Sequence, residues 1–139
     1  MKGMHRRDVM RTMTAALLPA AVLQAGPKIP NDVFGSGQAN LKREPFGDLR
    51  IYFDGTTDQL QVMTAGSLVL KPGMTPHAPH QHPEEEFLLV TEGTGEISLE
   101  DKVTPVGPGS MMYSAAGKMH GITNTGKTPL TFYFYKWRK

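Results

Sequence analysis

The chain has no cysteine among its 139 residues. Neither a disulfide framework nor a thiolate metal site is therefore available, and any metal must be held by nitrogen and oxygen. Long apolar runs are missing too. The longest, Thr12–Leu23, is broken by Pro19 and falls short of the about 20 residues that a spanning helix needs. Beyond the first segment the chain also lacks an excess of either charge. Net charge is +2, but four of the 15 basic residues and only one of the 13 acidic residues fall in residues 1–25, leaving 11 basic against 12 acidic. A basic face for nucleic acid is not expected from such a balance. Helical periodicity is absent from the body of the chain. Glycine (15) and proline (11) are what the sequence has in quantity, and they punctuate short elements as in all-β folds. The length suits one compact domain.

The first 25 residues read as an address. His5-Arg6-Arg7-Asp8-Val9-Met10-Arg11 precedes the short apolar run, and a small residue, Ala25, follows it. A charged start, an apolar middle and a small residue at the end predict a bacterial export signal, cleaved after Ala25. The paired arginines resemble a twin-arginine signal, with His5 and Val9 in place of that motif's usual Ser/Thr and Phe. The expectation is a periplasmic or otherwise exported protein with no membrane association after cleavage.

Residues 26–47, rich in Pro, Gly, Asn and Ser, read as an extended lead-in, and residues 48–139 as a single β domain. Strands are predicted at Leu49–Phe53 (ending in the turn signal Asp54-Gly55), Gln59–Met63, Ser67–Leu70, Glu86–Thr91, Glu96–Leu99, Val103–Val106, Met111–Ser114, His120–Asn124 and Leu130–Trp137. Turn signals about every ten residues point to an antiparallel sandwich or barrel.

Past the signal there are four histidines: His77, His80, His82 and His120. In a strand the alternating pair His80-Gln81-His82 projects both rings from one face. Glu86 stands in the same even register and can join them after a turn around Pro83. Two imidazoles and a carboxylate form part of a cage for a borderline metal, which His120 could close from a later strand.

These residues resemble the two motifs of the cupin superfamily. The first is read as Gly73, then His80-Gln81-His82, three residues, Glu86, six residues and Gly93. The second is Gly109, five residues, Ala115-Ala116-Gly117, two residues, His120, three residues and Asn124. The chain departs from the family pattern in one extra residue between Gly73 and His80, in Ala115 for a proline, and in Ser110 where an aspartate often follows the glycine. Motifs and flanking strands cover about residues 60–135. The resemblance implies a cupin-type double-stranded β-helix, a jelly-roll barrel. It also implies one divalent transition metal per chain (Fe, Mn, Zn, Ni or Cu) on His80, His82, Glu86 and His120.

Other residues receive plainer readings. His77, in odd register, is a loop residue near the pocket mouth. Glu84 and Glu85 are solvated turn acids, with Glu84 the substitute ligand if the turn differs. Gly93 and Asn124 are structural, and Met74, Met111, Met112 and Met119 fill the core. Arg50 and Lys118 are surface charges. On the last strand Phe132 and Phe134 face one way and Tyr133, Tyr135 and Trp137 the other, so burial on both faces, and with it a homodimer, is expected.

Four protein ligands on an octahedral ion leave two adjacent positions for a small, oxygen-rich substrate. With iron this implies dioxygenase chemistry, the favoured reading. Manganese, zinc or nickel would imply an isomerase, decarboxylase or lyase, and Glu86 could then leave the metal to act as a catalytic base. A non-catalytic periplasmic binding or sensing module is the alternative from another class.

Overall fold

The computed structural model describes residues 25–139; the predicted export segment up to Gln24 lies outside the described residues. In chain order the strands are β1 (Asn40–Glu44), β2 (Gly47–Gly55), β3 (Val62–Leu70), β4 (Glu85–Glu92), β5 (Gly95–Leu99), β6 (Lys102–Val106), β7 (Met111–Ser114), β8 (His120–Thr123) and β9 (Leu130–Arg138). Among the described residues no helix is long and apolar enough to cross a membrane. A six-stranded sheet runs β1-β2-β3-β9-β4-β7 and a three-stranded sheet runs β6-β5-β8. All the strand pairs are antiparallel.

Period-two burial explains why these segments are strands. In β4 the side chains of Glu86, Leu88 and Val90 are buried while their neighbours are not, and in β7 Met112 and Ser114 alternate with exposed Met111 and Tyr113. The inward residues of both sheets meet in one core: Leu68, Leu70, Leu88, Val90, Met112, Leu130 and Phe132 from the larger sheet, Ile97 and Ile122 from the smaller. Each such side chain contributes about 1.5–3 kcal/mol on burial. The result is an all-β, single-domain jelly roll, the architecture that the motifs imply.

Several elements differ from the sequence reading. Asp54-Gly55 does not turn the chain. Both residues stay in β2 opposite Thr64 and Met63, and the turn comes at Thr57, whose hydroxyl accepts from the Gln59 and Leu60 amides. Gln59–Met63 and Ser67–Leu70 are not two strands. β3 runs unbroken through Gly66, where a Cβ would lie 2.4 Å from Phe134 Cζ; glycine here admits a ring rather than ending a strand. The lead-in contains β1, paired along its length with β2. It gave no alternating signal because it is an edge strand with four exposed residues out of five.

Of the four methionines read as core, only Met112 is buried; Met74, Met111 and Met119 are 36%, 63% and 41% exposed. The four glycines of the motifs, Gly73, Gly93, Gly109 and Gly117, all sit where only glycine is at ease. Gly73 and Gly93 have φ of 74° and 80°, and a Cβ on Gly93 would also collide with the Pro129 carbonyl oxygen.

Candidate metal centre

The first-motif histidines lie before β4 rather than within a strand. His80 makes an isolated antiparallel bridge with His120, with N–O distances of 2.9 Å in both directions. The Gly117 amide donates to the His82 carbonyl at 2.8 Å. The loops of the two motifs are thus bonded backbone to backbone, which brings residues 38 to 40 positions apart to one point. Ser110, in place of the usual aspartate, keeps a hairpin contact of its own: its hydroxyl accepts from the Gly107 amide at 3.1 Å.

All four residues proposed as ligands meet. His80, His82 and His120 each offer one ring nitrogen, and these atoms lie within 4.8 Å of one another. Glu86 Oε2 lies 2.9 Å from His82 Nε2 and 3.0 Å from His120 Nε2. Backbone carbonyls orient both rings, Glu84 O at 3.1 Å from His82 Nδ1 and Lys118 O at 2.9 Å from His120 Nδ1. A carbonyl only accepts, so each Nδ1 carries the hydrogen and each Nε2 is directed at the carboxylate. A lone pair facing a carboxylate oxygen at 3 Å is repulsive without a cation between them, whether a proton or a metal ion. The donor set, three imidazoles and a carboxylate, fits a borderline divalent metal.

The electrostatics agree. Burial alone would raise the Glu86 carboxyl, but the hydrogen bonds from His120 and His82 outweigh it and hold it below its ordinary value. The same bond to Glu86 raises His120 against the opposing effect of burial. His80 is lowered to about 4 by burial and by its neighbours His77, His120 and His82. It is thus neutral at physiological pH, with a lone pair available.

His77 is exposed, outside the ligand group, yet in contact with it. Its Nδ1 lies 2.9 Å from Ala78 O and 2.7 Å from His80 Nδ1, and this contact braces the His80 ring. Glu84 touches His82 on the Nδ1 side, its carboxylate 3.3 Å away. It orients the ring there. Glu85 is not a solvated turn acid. It opens β4 on the outer face and accepts from Tyr113 Oη at 2.6 Å and Trp137 Nε1 at 2.9 Å.

Beside the histidines lies a chamber of about 200 Å³. Phe46, Leu49, Leu68, Phe132 and Phe134 wall it, and His77, His80, Glu86 and Lys136 are its polar members. Arg50 and Lys118 take no part. Arg50 stands opposite Ser67, on the face away from the core, and Lys118 pairs with Glu100 at 3.1 Å. Lys136 was missed in the sequence, although a signal existed: it continues the even register of Phe132 and Phe134.

A jelly roll with a histidine cluster at an internal chamber defines a class of barrel proteins whose chemistry is carried inside the barrel. The cupin domain family matches residues 66–135, half of the chain, and the protein belongs to that family. A comparison with curated proteins returns no match. Among solved structures, the chain is similar to an RmlC-like cupin from Shewanella frigidimarina (TM-score 0.66, 12% identity, 80% of this chain and 94% of that one). It is also similar to a predicted oxalate decarboxylase from Thermotoga maritima (0.61, 21%, 78% and 100%). A third is a sugar phosphate isomerase of the cupin superfamily from Silicibacter pomeroyi (0.52, 28%, 55% and 51%).

Proposed function

We propose that this protein is a metal-dependent enzyme that binds one divalent transition metal on His80, His82, Glu86 and His120 and acts on a small, oxygen-rich substrate. The observation that carries the reading is one carboxylate oxygen within 3.0 Å of two Nε2 atoms, both turned towards it by backbone carbonyls. When bound, the metal supplies Lewis acidity and a template for chelating oxygens. The chain's own residues fix the rings, and the apolar wall limits water beside them. A carboxylate held below its ordinary range is a poor proton acceptor at neutral pH, which favours Glu86 as a ligand over Glu86 as a base.

Decarboxylase, lyase or isomerase chemistry is the reaction class we favour, supported by the descriptions of two structural neighbours. Dioxygenase chemistry, the first expectation from sequence, has no geometric feature of its own here. Elemental analysis of the protein from its native compartment should find one metal ion per chain. His82→Ala and His120→Ala should each bring that to a small fraction with the β fold intact. A metal-free wild type would end this reading. Turnover of small hydroxy or oxo acids separates an enzyme from a binding module.

The protein is further proposed to act outside the cytoplasm as a homodimer, delivered by residues 1–25 as a twin-arginine signal. Export should stop when Arg6 and Arg7 are both changed to lysine, as judged by fractionation. Unchanged export would remove the twin-arginine assignment.

A further inference from the structure

One side chain in the chamber is left without a task by the metal reading. Lys136 stands in register opposite Glu86 across β9 and β4 and lines the chamber with Phe132 and Phe134. Side chains in such positions have Cβ atoms about 4.5–5.5 Å apart, so an ion pair between them would be the ordinary outcome. None forms. Among the described residues Lys136 has no acidic partner, while the Glu86 oxygen is taken by His82 and His120. Its side chain lines the chamber together with Phe46, Leu49 and Phe134.

A half-buried cation against apolar surface is costly unless something supplies the opposite charge. The charge count inside the chamber points the same way. A divalent ion on three imidazoles and one carboxylate retains an excess of positive charge, and the Lys136 ammonium adds to it. No other carboxylate lines the chamber. An anion is the missing component.

We propose that Lys136 forms an anion-binding subsite and that the ligand of this chamber is a small carboxylic acid. Its carboxylate pairs with the Lys136 ammonium, a second oxygen on the adjacent carbon is directed towards the histidine cluster, and a short apolar remainder lies on Phe46, Leu49 and Phe134. Size supports a small molecule, since about 200 Å³ lies below the roughly 300–1,000 Å³ of pockets for drug-sized ligands. A phosphate ester is less well served. Its dianion asks for several donors or a nest of backbone amides, and the chamber offers one ammonium among mainly apolar walls. The second contact and the charge count rest on the metal reading above; the unpaired Lys136 beside the apolar wall does not.

Calorimetric titration tests the subsite with two probes of equal size, 2-oxobutanoate and uncharged pentane-2,3-dione. Each is measured on the protein as purified and after chelator treatment. Charge-assisted pairing predicts that the wild type prefers the acid by about tenfold to a hundredfold. Lys136→Met should lose that preference while its affinity for the dione and its metal content stay unchanged, and Lys136→Arg should restore most of it. A Lys136→Met protein with full metal that still prefers the acid overturns the subsite and leaves the metal centre standing. A wild type that is metal-free as purified and still selects the acid through Lys136 supports the subsite and overturns the metal centre. Should Lys136→Met fail to fold, the wild type decides: equal binding of the two probes, or binding of neither, overturns the proposal.

Discussion

The amide of Asn124 is fully buried, and nearly all of its bonding capacity goes to backbone. Nδ2 donates to the carbonyls of Leu70 and Thr128, both at 2.9 Å, and Oδ1 accepts from the Gly126 amide at 3.0 Å. The second-motif asparagine thus locks the β8–β9 loop onto the end of β3 and touches no histidine. Asn124→Ala would strand two carbonyls and one N–H, each worth about 1–3 kcal/mol when unsatisfied. Some of this returns by relaxation, so a loss of about 2–4 kcal/mol is expected in urea unfolding. Metal content should be unchanged. A loss under about 1 kcal/mol would mean that the loop holds its own conformation. The motif therefore mixes two kinds of residue: His120 carries chemistry, and Asn124 carries the loop behind it.

Of the two strands without a buried face, β6 was legible from its β-branched residues beside a Gly-Pro-Gly turn signal, and β1, which has none, was not. Met111–Ser114 and Leu130–Trp137 stand out in sequence as β-rich runs bounded by turn signals, and β7 and β9 follow with at most one residue's difference. β1 has no buried face and could not announce itself. The continuity of β3 depends on β9, which pairs with it from Val62 to Leu70; a partner some 70 residues away leaves no mark in a local window. The candidate site divides in the same way. Ligand types and spacings are properties of the chain, so His80, His82, Glu86 and His120 could be picked out before their meeting was seen. The orientation of the rings comes from the carbonyls of Glu84 and Lys118, and backbone carbonyls carry no sequence signature. Glu85 was misread because the bonds that hold it come from Tyr113 and Trp137, on two other strands.

The outer face of the six-stranded sheet is unusual for a surface left to water. Phe87 packs against Tyr113 at 5.3 Å and Trp137 at 5.5 Å between ring centroids, yet Phe87, Tyr113, Tyr135 and Met111 remain 39%, 46%, 39% and 63% exposed. Further along the same face, Tyr52 and Tyr133 lie 6.3 Å apart. The Nε of Arg50, also on this side, is buried without a hydrogen-bond partner. Aromatic side chains of about 150–250 Å² each, roughly two-fifths exposed, give this face on the order of 400 Å² of apolar surface. That is about half of the roughly 800 Å² per partner in a stable interface, and the polar rim of the sheet can supply the rest. A second copy is the occupant that requires no other complementary surface, since a two-fold axis brings one patch against itself. Light scattering should therefore give twice the chain mass. Phe87→Lys combined with Tyr135→Lys should give the single mass with metal content retained, because both side chains point away from the chamber. A wild type that stays monomeric at its highest soluble concentration would leave this aromatic face without its proposed partner.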